Sequence, residues 1–370
     1  MQNPFAEKII QKIEDRETSG EEFRRLIRQF VDSLSDCLKK EADESFAGLA
    51  PLMASRNLSR ASLIATLCGS MVESGCDPRF ATPYLTTGLT RALKAIMPMV
   101  DKLERKVRPR LETAESPEQR SAWIASAVRQ LSVRLPESAA ALKSFERFMR
   151  PALTMYSKDL ANRQKGLPEF WDYASRMESW FPDAEKLLRL MTVLEKEPII
   201  AIDVASQKGF VGRFGGAINN SQLIILLMDT FARQYVFPKP LISHDMGLCA
   251  HGEGPQQVGD KVQGAWNLYD HRALDSRLKL PDPKDLKANK FWLWNERKPS
   301  EIPAIDGFRV ILIGPPSYPR EWEFEREFRY LKAGIKVDSE LSRTDLRDWL
   351  ERINDRNLAL KKAGAQPLAS

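Results

Sequence analysis

The apolar residues of this chain change period near Pro198, and that change constrains the fold more than any other feature. Upstream they recur every three to four residues, the spacing that places side chains on one stripe of an α-helix. Phe23, Leu26, Ile27, Phe30, Val31, Leu34 and Leu38 form one such stripe, with Glu21, Arg24, Arg25, Arg28 and Asp32 on the wet face. Ser59 and Gly75 bracket a second helix, and Ser116-Pro117 with Gln119 opens a third that should stop before Pro136. Stretches 84–107, 137–164 and 168–195 complete a bundle of about six or seven helices, with Pro51, Pro78, Pro109, Pro151 and Pro168 as expected boundaries.

Downstream the chain acquires strand character. Thirteen of its 19 glycines lie after residue 190, and runs of β-type residues appear for the first time. Ile199 to Val204 and Phe210 to Phe214, separated by a polar turn, read as a hairpin. Asn219-Asn220 offers an N-cap to an apolar helix from Gln222 to about Gln234. Further strands are expected at 290–294, 308–313 and 335–338, and Ser342 with Asp345 opens a last helix whose inward face is Leu346, Trp349, Leu350 and Ile353. The expected fold class is α+β: an all-α helical bundle over 1–195, then a smaller α+β domain over 196–370 with a mainly antiparallel sheet and a long loop at 238–289.

With 43% hydrophobic and 29% charged residues the composition excludes collagen-like and disordered chains. Cys37, Cys68, Cys76 and Cys249 are sparse and contain no Cys-x-x-Cys pair, which suits free thiols in a reducing interior. Met1 to Glu17 mixes both signs of charge without the apolar core of a signal peptide, and the longest aliphatic run, Leu223 to Met228, is far too short to span a bilayer. A cytoplasmic bacterial protein without a membrane partner is expected.

Three groups of residues are candidate sites. All three histidines, His244, His251 and His271, fall in one segment with Cys249 among them, and imidazole with thiolate is the donor set of zinc. Their His-x4-Cys-x-His spacing matches no paired-ligand pattern, so loop histidines beside a buried thiol are the simpler reading. Between residues 51 and 150, 16 Lys and Arg oppose 9 Asp and Glu, although the formal charge of the whole chain is only +6. Lys102, Arg105, Lys106, Arg108 and Arg110 form the densest run there and are the candidate phosphate contacts of a nucleic-acid-binding 91–150 region, weighed against a solvated helix end. Finally, Trp266, Tyr269 and Tyr318 lie in aromatic and proline-rich stretches suited to a protein interface. No metalloprotease helix, nucleophile elbow or kinase signature is present, and Pro315 and Pro316 after the 308–313 strand remove the N–H donors a phosphate loop needs.

Gly264-Ala265-Trp266-Asn267-Leu268-Tyr269-Asp270, Phe291-Trp292-Leu293-Trp294-Asn295-Glu296, and Ile302 through Trp322 resemble segments of uncharacterised bacterial proteins. Such proteins resemble accessory components of systems built around MoxR-type AAA+ ATPases, and the resemblance implies an adaptor role without carrying over any catalytic residue. The expected function is therefore a non-catalytic adaptor or scaffold with other protein subunits as partners and no cofactor. The alternatives are a nucleic-acid-binding protein using the basic region and a zinc-binding protein or metal-dependent enzyme using the His/Cys segment.

Overall fold

A computed structural model of the chain describes residues 3–34, 39–234, 241–285, 290–316 and 318–363; Cys37, Leu38 and Ser317 lie outside them. The chain divides into two compact units, Met1–Thr192 and Val193–Ser370. The first is all helix: α1 (Pro4–Lys12), α2 (Gly20–Ser33), α3 (Lys39–Leu49), α4 (Leu58–Glu73), α5 (Thr82–Lys106), α6 (Arg108–Leu111), α7 (Pro117–Arg134), α8 (Pro136–Lys158), α9 (Leu160–Met177) and α10 (Pro182–Met191). The caps are local in origin. Asn57, two residues before the expected Ser59, accepts the Arg60 N–H at 3.2 Å to start α4. Ser116 accepts the Gln119 N–H, while the Gln119 side chain reaches back to the Glu115 N–H at 2.7 Å.

Two boundary expectations are corrected. Pro151 and Pro168 lie inside α8 and α9. A helix-interior proline costs about 3 kcal/mol in isolation, but Pro151 is buried where α8 crosses α4, and a Cβ on Gly69 of α4 would stand 2.8 Å from the proline Cβ. The missing side chain at Gly69 lets the two helices close on the proline ring, and that packing outweighs the lost backbone bond. The break comes instead at buried Asp159, whose backbone leaves helical geometry (φ −124°, ψ 81°) and whose carboxylate accepts from the Asn162 N–H and Nδ2.

Arg60 holds the start of this unit together. Its guanidinium is buried and has no carboxylate partner among the described residues. Nη1 donates to the carbonyls of Lys12, Ile13 and Asp15 at 2.7, 2.9 and 2.8 Å, and Nη2 donates to that of Thr18. These are the free carbonyls at and beyond the C-terminus of α1, where the helix dipole is negative. The Phe23 ring lies 5.2 Å from the guanidinium carbon on another side.

The second unit is built on one sheet. Its strands are β1 (Glu197–Asp203), β2 (Lys208–Gly215), β4 (Asn267–Asp270), β5 (Ala304–Ile305), β6 (Phe308–Gly314) and β8 (Gly334–Glu340), in the order β4-β6-β1-β2-β8 with β5 also on β6. A separate pair is made by β3 (Val262–Gln263) and β7 (Glu321–Trp322). β1 and β6 run parallel and the other pairings are antiparallel, so the mainly antiparallel sheet of an α+β fold is observed. Its α-helices among the described residues are α11 (Asn220–Gln234), α12 (His244–His251) and α13 (Arg343–Lys362).

Both faces of the sheet are covered. Ile199, Ala201, Ile311 and Ile313 pack with Leu223 to Met228 of α11 and with Met246 and Cys249 of α12. The alternate residues Ile200, Ile202, Val310 and Leu312 pack with Leu346, Leu350 and Ile353 of α13. Trp349 is half-buried, edge-on to Phe308 at 5.6 Å. The expected strand at 290–294 is only a bridge between Trp292 and Tyr269, because the segment passes the edge of β4 and leaves it; Leu293 and Trp292 enter opposite cores. The expected loop at 238–289 is likewise corrected within the described residues: it carries α12, β3 and β4. Ser243 caps α12 by accepting the Met246 N–H, and Gly252 ends it at φ 79°.

At the free edge, β8 pairs with β2 through Val211–Ser339 and Gly212–Val337, which leaves Asp338 over as a bulge. Replacing Arg60 with Met removes the donor from four carbonyls, two of them in buried hydrogen bonds, and the expected loss is about 3 kcal/mol of stability, read as a lower urea midpoint with an unchanged m-value.

Candidate partner-binding surface

The four proposed metal ligands are not brought together. His244 is the exposed first residue of α12. The buried Cys249 donates its thiol to the Gln256 carbonyl at 3.2 Å, and burial pushes the thiol pKa up. His251 is clamped: Nε2 lies 2.9 Å from the Asp229 carboxylate of α11 and Nδ1 lies 3.1 Å from the Ala333 carbonyl. His271 is on the other face of the sheet, against α13. Its Nδ1 bonds the Asn357 side-chain oxygen at 3.1 Å, and Asn357 Nδ2 donates to the carbonyls of His271 and Leu274 at 2.9 and 3.1 Å. Among the described residues no three His, Cys, Asp or Glu side chains form a group that would hold a metal ion.

The basic run gathers at the C-terminal end of α5. Lys102, Arg105 and Lys106 stand at i, i+3 and i+4, one side of the last turns, where cations also oppose the helix dipole. The interleaved acids are engaged by a neighbour: Arg176 Nη2 lies 2.6 Å from both Asp101 and Glu104, and these contacts hold its pKa above the usual guanidinium value. Arg108 and Arg110 lie against indoles, 5.5 Å from the centre of Trp180 and 4.4 Å from that of Trp123.

Of the three interface aromatics, one is a core residue. Tyr269 is 1% exposed, edge-on to Trp292 at 6.4 Å, on β4, a strand buried along its length, so its ring serves packing. Trp266, just before β4, is half-buried and packs edge-on against Phe231 at 5.4 Å. Tyr318, by contrast, is 54% exposed. It stands two residues before Arg320, whose Nη1 and Nη2 donate to the side-chain oxygens of Asn267 and Asn295 at 2.8 and 2.9 Å. The guanidinium lies 5.3 Å from the Trp322 ring, and Trp322 Nε1 is fixed in turn by Ser221 Oγ at 2.8 Å. Two amides orient this cation without neutralising it, and it has no carboxylate partner among the described residues.

Tyr318 and Arg320 follow β6 at its carboxyl end, which in sheets with parallel strands is where ligands meet the fold. On the α13 side of that end is a cleft of about 490 Å³ lined by Val204, Leu278, Leu280, Pro315 and Leu350, with Arg277, Lys279 and Arg347 among its walls. Sequence reading passes over these residues, although Arg277-Leu278-Lys279-Leu280 alternates cation and leucine within a turn-rich segment.

Burial is the largest influence on His271 and lowers its pKa from the ordinary 6.5. The native state keeps the imidazole neutral at pH values where the unfolded chain already binds a proton. Its contribution to stability is therefore full above 6.5 and lost as pH falls through that value toward the lower native one. Melting temperature should fall between about pH 7 and about pH 5, and the fall should be shallower in His271→Gln. Comparison of the chain with protein-family models, with curated proteins and with solved structures finds no match.

Proposed function

We propose that the protein is a non-catalytic adaptor of a bacterial multi-protein assembly, of the kind built around MoxR-type AAA+ ATPases, working in the cytoplasm. The observation that carries this reading is Arg320, held by two asparagine oxygens and an indole beside the exposed Tyr318. Tyr and Arg are the side chains that dominate interface hot spots, and a pre-oriented guanidinium loses little entropy on meeting a partner. Three of the four candidate ligands are tied into the scaffold, Cys249 as a buried thiol, His251 between α11 and the approach to β8, and His271 against α13, while His244 is exposed. No described helix is long and apolar enough to cross a membrane.

Cross-linking in cells at native concentration, followed by affinity recovery at low salt, tests the adaptor role. Wild-type chain should bring down a defined protein, and Tyr318→Ala with Arg320→Lys should reduce its yield about tenfold or more. Recovery of the chain alone overturns the reading.

The nucleic-acid reading keeps one specific observation in its favour. Asp101 and Glu104 both pair with Arg176 of α9, and Lys102, Arg105 and Lys106 have no carboxylate partner among the described residues. If these residues contact phosphates, retention on RNA or DNA should weaken steeply with salt. The slope should drop by about one for each of the three replaced by Ala; retention unchanged in the triple variant removes the site.

A further inference from the structure

We propose that the cleft at the carboxyl ends of β1 and β6 binds an acidic peptide segment of a protein partner, whose carboxylates meet Arg277, Lys279 and Arg347 while an apolar side chain rests on Leu278 and Leu350. The inference rests on the adaptor reading and gives its partner a chemistry, at a surface separate from Tyr318 and Arg320.

Charge is the first argument. Arg277 and Lys279 have no carboxylate partner among the described residues, and Arg347 meets only Glu351, at 3.7 Å with both side chains mostly exposed. The nearby acids are turned inward on their own loops. Asp275 accepts the backbone N–H groups of Arg277 and Lys279, both at 2.9 Å, and Asp203 accepts those of Ala205 and Ser206 at 3.1 and 3.3 Å. The cations are thus left to a ligand.

Preorganisation is the second. Leu278 is held at φ 58°, the left-handed region that a leucine rarely adopts. Asp275 locks the turn from both sides: its N–H donates to the Lys279 carbonyl and its carbonyl accepts the Leu278 N–H, each at 3.0 Å. This conformation places Leu278 and Leu280 in the cleft wall with Arg277 and Lys279 exposed beside them. A loop that retains an unfavourable backbone state is one whose backbone course is set before the ligand arrives.

The third argument separates a peptide from a phosphorylated ligand. Pro315 and Pro316, which follow β6 at the cleft, have no N–H groups, so the backbone cradle that phosphates use is missing on that side. What remains is side-chain cations spread along an apolar trough, which fits several carboxylates spaced by apolar residues better than one compact dianion.

Fluorescence anisotropy with full-length protein tests this, using fluorescein-labelled peptides in which Glu alternates with Leu or Asp with Phe, and a Gln–Leu control. Saturable binding of an acidic peptide is expected, weakened about tenfold or more both by Arg277→Glu with Lys279→Glu and by raising salt from about 50 to about 500 mM. Leu278→Gly removes part of the wall and its packing on the α13-side core, a loss partly offset by the relaxed left-handed backbone; it should weaken binding severalfold while the protein stays folded, with only a small drop in melting temperature. The proposal is overturned if no acidic peptide saturates, if the Gln–Leu control binds equally, or if inorganic phosphate or a short RNA displaces the peptide at lower concentration. Loss of peptide binding with the cross-linked partner still recovered through Tyr318 would sink the cleft alone, whereas a chain recovered without partners that still binds the peptide through Arg277 and Lys279 supports the cleft and sinks the adaptor.

Discussion

The parallel pairing of β1 with β6 is the constraint around which the C-terminal unit is organised. Antiparallel neighbours such as β1 and β2 are joined by a short turn, but two parallel strands need a connection that returns along the sheet. Here it runs from residue 203 to 308 and includes β2, α11, α12 and β4. That return lays α11 and α12 on one face, while α13, arriving later, covers the other. A central pair buried on both sides needs continuous apolar residues, which is why Ile199 to Ile202 and Val310 to Ile313 have no polar alternation. The same pairing sends the chain out of β1 and β6 at one end of the sheet, so the loops bearing Gln207 and Pro315 converge there.

Arginine serves this protein in graded ways, and the grading separates scaffold from surface. Arg60 is wholly occupied by backbone carbonyls, and its charge is spent on the end of a helix. Arg176 is occupied by two carboxylates, whose combined charge exceeds its own. Arg320 is oriented by neutral amides and keeps its charge, while Arg277 is neither oriented through its guanidinium nor neutralised. Burying a cation is expensive unless its donors are satisfied, so Arg60, with its N–H groups on carbonyls, is buried and Arg277, without such partners, stands in water.

Local chemistry made much of the fold legible. The Ser342–Asp345 capping box, the β1–β2 hairpin and the helices starting at Ser116 and Asn219 depend on residues a few positions apart, and each is observed. What failed depended on distant partners. Pro151 reads as a helix end until Gly69, far back in the chain, is known to lie against it. Tyr269 reads as an interface residue because aromatic side chains are spelled alike in cores and at contacts, and only the pairing of β4 with β6 decides between them. The His and Cys segment looked like a ligand cluster because sequence proximity hides direction: His251 and His271 point into opposite faces of one sheet. Arg277 and Lys279 gave a signal only as an alternation with leucine, which has no meaning until Leu350 closes the other wall.

The bulge at Asp338 bears on the behaviour of the molecule in a crowded assembly. β8 is a seven-residue border strand with mostly exposed side chains, and a flat border of that length would template further strands from other chains. The leftover residue breaks the even spacing of its outward N–H and C=O groups, and Lys336 sets a charge beside the break. The border is thereby a poor template for strand addition, and that irregularity comes from a single inserted residue.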